Sequence, residues 1–322
     1  MSSNLKLGDT ALQVADTGIH HALAVIPSGG NFTYTSTTPI VSASHPTLTG
    51  YSYSVTAINT AGDTQAILTS TATGPNSVQK VVTAYISRGT YGLGATSLAG
   101  STAAATETNF SGTAFTINGT DGCGAAPAVP GIAVTDPALQ TEITNSTTSD
   151  GGLASNQMSL VTGTGSSPSV TVVSPMSQTV SQMADAFLAR THTVLEGGNY
   201  SSGSWGTAAE PRITRIDGNA QLTGTIEGYG VLIVDGVLDL AGNFTFNGLV
   251  IARGDIQVQV TGNAGINGSL MLGESLTYDP QVELDVRGNA TIRFNSCNLS
   301  SADAWVSLPK VAKLVAWHEK LN

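Results

Sequence analysis

Two aspartates, Asp217 and Asp235, each stand directly before a glycine and lie 18 residues apart. If they occupy the same position on neighbouring coils of a repeated strand structure, their carboxylates lie about 5 Å from each other. Carboxylates at that spacing can act as a pair on a glycosidic bond or bind Ca²⁺, with the nearby Asp239 as a further oxygen donor. The alternative is that they accept hydrogen bonds from backbone amides at corners. Arg253 follows one period later and interrupts any acidic row, which favours the corner interpretation.

The chain shows no other pattern typical of an enzyme. No histidine lies between His192 and His318, so the repeated region lacks the general base that hexapeptide acyltransferases use on coils of this length. The CxxC, HExxH, Walker and GxSxG motifs and the glycine-rich calcium repeat are absent from the sequence. We therefore predict a protein that is not an enzyme and has no cofactor, no catalytic residue and no metal. Asp217, Asp235 and Asp239 are kept as metal candidates.

Three further residues are candidates for a role in structure or binding. Cys123 and Cys297 are the two cysteines of the chain. In an exported protein they could form a disulfide, whereas as free thiols they would be small core residues. Tyr229 lies in a glycine-flanked strand of the repeated region. On a groove along the strands its ring could contact a surface glycan.

The elements that position these residues form a repeat between Arg215 and Asn295. A charged residue followed by glycine recurs at Asp217, Asp235 and Arg253, and again at Arg287. Inside this period, apolar residues recur every six positions: Ile226, Leu232, Leu238, Phe244, Val250 and Ile256. A period of about 18 with a sub-period of six predicts a short parallel β-helix, or solenoid, in which each coil sends apolar side chains inward.

The N-terminal third has a different pattern. Apolar residues at helical spacing predict an amphipathic helix over residues 4–26, and alternation predicts antiparallel strands at 51–58, 66–72 and 78–87. The predicted fold class is therefore mainly β (α+β), with an N-terminal helix packed on a small antiparallel sheet and a parallel solenoid after it. The predicted domains are 1–120 for the helix and sheet, 121–212 for a linker with a helix at 178–195, 213–300 for the solenoid and 301–322 for a cap that is helical or extended.

Composition excludes several classes of partner. The chain has 322 residues, 12 Lys+Arg against 22 Asp+Glu, a net charge of -10 and only 11% charged residues. Without a basic cluster, we predict no nucleic-acid partner. No run of 18 apolar residues is present, which predicts no membrane span in this sequence. The abundance of Gly, Ser, Thr and Asn is typical of bacterial surface proteins rich in β structure.

Several blocks of the chain resemble one known family. The helix containing ALQVADTGI at 11–19, the strand YSYSVTAI at 51–58 and the segment AILTSTATGPNSVQKVVTAYISR at 66–88 are similar to the ectodomain of PilX-like pilus assembly proteins, which are relatives of type IV minor pilins. Larger members of that family resemble the chain further, in blocks at 118–134, 228–258 and 311–319. The blocks touch most of the chain and are separated by unmatched linkers.

The resemblance implies a pilin-like module that carries the repeated region as a surface element. It implies a structural or adhesion component of a type IV pilus or related filament, periplasmic before assembly and extracellular or on the cell surface afterwards. Its partners would be other pilus or filament subunits, with surface glycans as a further candidate, and it would reach the membrane only through an N-terminal apolar segment that this sequence lacks. Two alternatives stay open: a carbohydrate-binding or carbohydrate-active β-helix protein, and a self-assembling filament subunit.

Overall fold

The structure is a computed structural model, and it describes residues 2–26, 34, 38–61, 65–91, 93–99, 108–145, 151–173, 178–254, 257–260, 263–274 and 283–320. In chain order, the first elements are α1 (Ser2–Val25), β1 (Pro39–Ser44), β2 (Ser52–Ala61), β3 (Gln65–Thr73), β4 (Gln79–Tyr91), β5 (Thr96–Ala99), β6 (Thr108–Ser111), β7 (Thr116–Asn118), β8 (Ile132–Val134), α2 (Pro137–Thr144), β9 (Val161–Thr162) and β10 (Val170–Val172). The remaining elements are α3 (Val180–Leu188), β11 (Thr193–Trp205), β12 (Arg212–Val234), β13 (Leu238–Leu240), β14 (Asn243–Gly254), β15 (Gln257–Val260), β16 (Gly265–Glu274), β17 (Glu283–Arg287), β18 (Thr291–Phe294), α4 (Ser296–Trp305) and β19 (Lys310–Glu319).

The chain divides into two compact units, and the second is an insertion in the first. The first unit consists of Met1–Gly89 and Lys310–Asn322, and the second of Thr90–Pro309. This division differs from the predicted boundaries in two places. The first unit ends near residue 89 instead of 120, and the last strand of the chain returns to it instead of capping the repeated region.

In the first unit, α1 packs on a five-stranded sheet with the strand order β1-β2-β3-β4-β19. The β1–β2, β2–β3 and β3–β4 pairs are antiparallel. Gly18 allows the helix to approach closely, because a Cβ at that position would meet the Ser70 hydroxyl at 2.4 Å. The helix buries one apolar face, and the strands bury every second residue, as the 3.6-residue and two-residue periods require. The buried residues include Ala11, Val14, Ala15, Ile19, Val55, Leu68, Val82 and Ile86.

The second unit is built on a 14-stranded sheet. Ten of its strands follow the order β10-β8-β5-β16-β14-β12-β13-β15-β17-β6, and β7, β9, β11 and β18 pair beside this path. The pairings described within it are parallel. The predicted fold class is wrong, because these strands do not form a solenoid of regular 18-residue coils. Thr225 pairs with Asn243, which lies 18 residues later, but Thr245 pairs with Gly265, 20 later, and Gly265 with Thr291, 26 later.

The strands beyond this point come from an earlier part of the chain. Leu270 on β16 pairs with Thr96 on β5, and β17 and β18 pair with β6 and β7. Residues 121–212 were predicted to be a linker, and this part of the prediction fails because β8, β9 and β10 belong to the sheet. These strands have only two or three residues, which is too short for alternation to become visible in the sequence.

The helices of the second unit also differ from expectation. A helix was predicted over 178–195, but α3 ends at Leu188 and β11 begins at Thr193. The start of α3 is fixed by a capping box, in which Thr179 and Gln182 each accept a hydrogen bond from the backbone N–H of the other. The helix α4 was not predicted. Its apolar residues are few, and Asn295 caps its first turn.

The six-residue spacing of apolar residues does correspond to burial. Ile226, Leu232, Leu238, Phe244 and Val250 are all at most 1% exposed, while Ile256 lies outside the described residues. The core of the second unit therefore uses the pattern even though the strands that carry it are not spaced as regular coils.

Three glycines on adjacent strands form a column at the centre of this sheet. Gly230 pairs with Gly248, and Gly248 with Gly268. All three have positive φ, and a Cβ on Gly248 would lie 2.0 Å from the carbonyl oxygen of Gly230. Only a residue without a side chain allows the backbones to pair here.

We expect the Gly248→Ala variant to lose about 1–3 kcal/mol of the free energy of unfolding, because the new methyl group meets a backbone oxygen and φ is unfavourable for alanine. The measurement is urea unfolding followed by circular dichroism. The matched control is Gly198→Ala on β11, where a Cβ has no neighbour within 4 Å and where we expect a change below about 0.5 kcal/mol. Equal effects of the two variants would contradict the close approach.

Candidate functional site

The candidate carboxylate pair is joined by arginines. Arg253 donates from Nε to Asp235 Oδ1 at 2.6 Å, and Arg215 donates from Nε to Asp235 Oδ2 at 2.6 Å. Arg215 also donates from Nη2 to Asp217 Oδ1 at 3.2 Å, and Arg253 donates to Asp185 on α3. Acidic and basic side chains thus alternate along a chain of ion pairs. Both oxygens of Asp235 are occupied by guanidinium groups, so the pair cannot act as two free carboxylates.

The charges of this ion-pair chain are poorly solvated at its centre. The side chains of Asp235 and Arg253 are 14% and 15% exposed. Burial alone lowers the pKa of Arg253, but the hydrogen bonds and charges of Asp235 and Asp185 outweigh it and raise the pKa above its ordinary value. Arg253 therefore stays charged, and it links α3 to the sheet.

The third aspartate lies apart from the other two. Asp239 on β13 accepts a hydrogen bond from Gln221 Nε2 at 3.0 Å, and its Oδ1 is buried without a hydrogen-bond partner among the described residues. Asp217 is half exposed at 54%. Within the described ranges, no three His, Cys, Asp or Glu side chains come close enough together to hold a metal ion. Asp217 and Asp235 are brought together only through Arg215.

Tyr229 lies on β12 with its hydroxyl already engaged. The hydroxyl donates to Glu227 Oε1 at 3.1 Å, and this hydrogen bond, followed by burial and the charge of Glu227, raises the pKa of Tyr229. The side chain is half-buried. Its glycan contact stays a prediction.

The two cysteines are joined in the structure. Cys123 and Cys297 form a disulfide with a Cα–Cα distance of 6.1 Å across 174 residues of sequence. Cys297 lies in the first turn of α4, so the disulfide connects this helix to the segment after β7.

A buried carboxylate lies next to this disulfide and holds the same two segments together. Asp121 is 7% exposed, and it accepts from the backbone N–H of Ser296 and of Ala126, and from the Ser296 hydroxyl, each at 2.8 Å. Burial raises the pKa of Asp121, but these hydrogen bonds together outweigh it, so the pKa lies below its usual value. The charge also lies at the N-terminus of α4, where the helix dipole favours an anion.

A surface cavity that the sequence did not indicate has a volume of about 470 Å³. It is lined by two arginines, Arg190 and Arg212, together with His192 and Trp305. Arg190 follows the end of α3, His192 precedes β11, Arg212 begins β12 and Trp305 ends α4. The one signal in the sequence is the Arg190-Thr191-His192 triplet, and nothing in the sequence joins it to Trp305, more than a hundred residues later.

Comparison with known proteins gives a distant similarity to a solved structure. No protein-family model matches the chain, and neither does any curated protein. Among solved structures, the chain is similar to the competence-associated pilin ComZ from Thermus thermophilus, with 10% identity over 98% of this chain and 97% of that chain. The TM-score is 0.26, and a similarity this low carries no argument about fold or function. None of the described helices is long and apolar enough to cross a membrane.

We expect Asp235→Asn to reduce the free energy of unfolding by about 3 kcal/mol, because Arg215 and Arg253 would lose the carboxylate that pairs them in a poorly solvated place. The control is Asp217→Asn, which removes an exposed carboxylate paired with Arg215 and should cost less than about 1 kcal/mol. Urea unfolding at neutral pH measures both. If the two variants are equally stable, Asp235 is not the centre of this ion-pair chain.

The hydrogen bonds of Asp121 predict a pH dependence of stability. Its pKa is lower in the folded than in the unfolded chain, so its stabilising contribution is complete above the ordinary aspartate pKa of about 3.9 and is lost as the pH falls through the folded value. We expect Asp121→Asn to cost about 1–3 kcal/mol near neutral pH. The difference from the unsubstituted protein should shrink in acid. A difference that is constant or grows on acidification, measured by urea unfolding, would be inconsistent with this assignment.

Proposed function

We propose that the chain is a non-enzymatic, extracellular structural or adhesion component of a type IV pilus or a related filament system. The observation that carries the proposal is the arrangement of the sequence blocks similar to PilX-like proteins. The helix α1, the strand β2 and the segment over β3 and β4 come together in one compact unit, the helix lying on the sheet. The block at 311–319 supplies β19 of the same sheet, so four of the similar blocks lie in one compact unit, which supports the proposal.

The topology supports the idea of a module that carries a display element. The second unit is inserted between β4 and β19, which are neighbours in the sheet of the first unit. A long insertion between adjacent strands costs little, because the entropy of loop closure grows only slowly with length. In the proposal, the first unit binds other filament subunits and the second unit is the surface that the filament presents.

The second unit has the features of a rigid, polar surface element. Asn263 donates to Asn243 and Asn289 donates to Asn263, at 3.2 Å in each case. These asparagines lie at the first residue of β14 and just before β16 and β18, so their side chains form a row along the edge where these strands begin. Such rows repeat the same hydrogen bond along a stack of strands. Together with the disulfide and the ion-pair chain, they favour a surface that keeps its shape outside the cell. Disulfides also form and persist in the oxidising periplasm and outside the cell.

The proposal is tested in cells that produce the chain. Filaments sheared from the cell surface should contain the protein, chemical cross-linking followed by mass spectrometry should join the first unit to other filament subunits, and an antibody to residues 90–309 should label the filaments. The control is the same preparation from cells whose filament assembly is blocked, where the protein should disappear from the sheared fraction. Recovery of the protein in the cytoplasm, or in the sheared fraction without filaments, would reject the proposal.

A further inference from the structure

We propose that the cavity between the end of α3, the starts of β11 and β12 and the end of α4 binds an acidic sugar, held by its carboxylate. The four residues that carry this inference are Arg190, His192, Arg212 and Trp305. All of them belong to the second unit. The inference goes beyond the proposed function and does not depend on it, since the cavity is complete within that unit whether or not the chain joins a filament.

The first argument is the state of the two arginines. The guanidinium groups of Arg215 and Arg253 both form ion pairs with Asp235. By contrast, no carboxylate of the described residues lies within 4.0 Å of the Arg190 guanidinium. Arg212 lies 3.9 Å from the carboxylate of Glu210, its one acidic neighbour in the described part of the chain, and both side chains are well exposed, so this ion pair is weak.

Two available guanidinium groups in one cavity are unusual for this chain, which has a net charge of -10 and only 12 Lys+Arg. A guanidinium group presents a planar fork of donors that matches the two oxygens of a carboxylate. The cavity therefore has the donors for one anionic group of this shape.

The second argument comes from the neighbouring ring systems. Trp305 lines the cavity and is half-buried, so it offers a rigid apolar surface to the C–H face of a sugar ring. His192 Nδ1 lies 2.8 Å from the backbone oxygen of Arg190. A carbonyl oxygen can only accept, so Nδ1 donates, and in the neutral ring Nε2 is left as an acceptor for a hydroxyl group.

The third argument is the size of the cavity and the small number of its basic side chains, which fit a single acidic sugar better than a long polyanion. A volume of about 470 Å³ is in the range of small-molecule sites. A nucleic acid is bound by many phosphate contacts at once, whereas this cavity offers two arginines and a histidine on a protein of net negative charge. The observations thus favour one carboxylate-bearing sugar, such as a uronic or sialic acid at the exposed end of a glycan.

The test is isothermal titration calorimetry of the full chain with N-acetylneuraminic acid and with glucuronic acid, compared with glucose, inorganic phosphate and a short single-stranded DNA. We expect binding of at least one acidic sugar and none of glucose. Arg190→Gln and Arg212→Gln should each weaken binding about tenfold or more, since each removes a charged hydrogen-bond donor. Trp305→Leu should weaken it for the acidic sugar while leaving the fold, checked by circular dichroism, unchanged.

The matched control is Arg293→Gln, which removes an exposed arginine of the same unit that does not line the cavity. It should leave the affinity unchanged. The inference fails if neither acidic sugar binds, if glucose binds as well as they do, if phosphate or DNA binds more tightly than either sugar, or if the two cavity variants behave like the control. Each of these outcomes leaves the filament experiment unaffected, so the two proposals can fail separately.

Discussion

The backbone pairing of parallel strands in register is the constraint on which the second unit depends. Neighbouring strands approach so closely at Gly230, Gly248 and Gly268 that no side chain fits between them. Once the backbones are fixed in this way, residues at paired positions lie one above the other. Phe246 then pairs with Ile266, and Asn247 with Asn267, so apolar residues pack in the interior and asparagines bond to one another outside it.

The same stacking explains why the aspartates have a structural role. Side chains that recur at similar positions on neighbouring strands are brought together whatever their charge, and two carboxylates alone would repel each other. The chain resolves this by placing Arg215 and Arg253 on either side of Asp235. The cost of burying each charge is offset by a partner and by hydrogen bonds, and Asp185 extends the chain of ion pairs to α3.

Periodicity in the sequence reveals burial better than it reveals topology. The apolar residues at six-residue spacing are buried because that spacing reflects which side of a strand faces the core. The closure of the strands into coils is a different matter, because it depends on loop lengths that vary from one strand to the next. The solenoid prediction extended one 18-residue interval to the whole region, and it also missed the short strands of 96–172, which carry too few residues to show a pattern.

The candidate sites were also hard to predict wherever they depend on tertiary contacts. Asp217 and Asp235 are linked because Arg215 donates hydrogen bonds to both of them. The sequence places Arg215 two residues before Asp217, but it does not show that the arginine side chain also contacts Asp235. The cavity could not be predicted, because Arg190, Arg212 and Trp305 meet only through tertiary packing. Cys123 and Cys297 were open to two interpretations, since sequence separation alone does not say whether two cysteines meet.

The insertion of the second unit also affects the order in which the two units can fold during synthesis. The sheet of the first unit is complete only when β19 has joined it, and β19 is synthesised after the whole of the second unit. Until then α1 and β1 to β4 present an open strand edge, which is prone to pair with other chains. The second unit can fold before β19 is synthesised, because its strands and its disulfide all lie within Thr90–Pro309. The incomplete sheet of the first unit is therefore exposed for as long as residues 90–309 take to be synthesised.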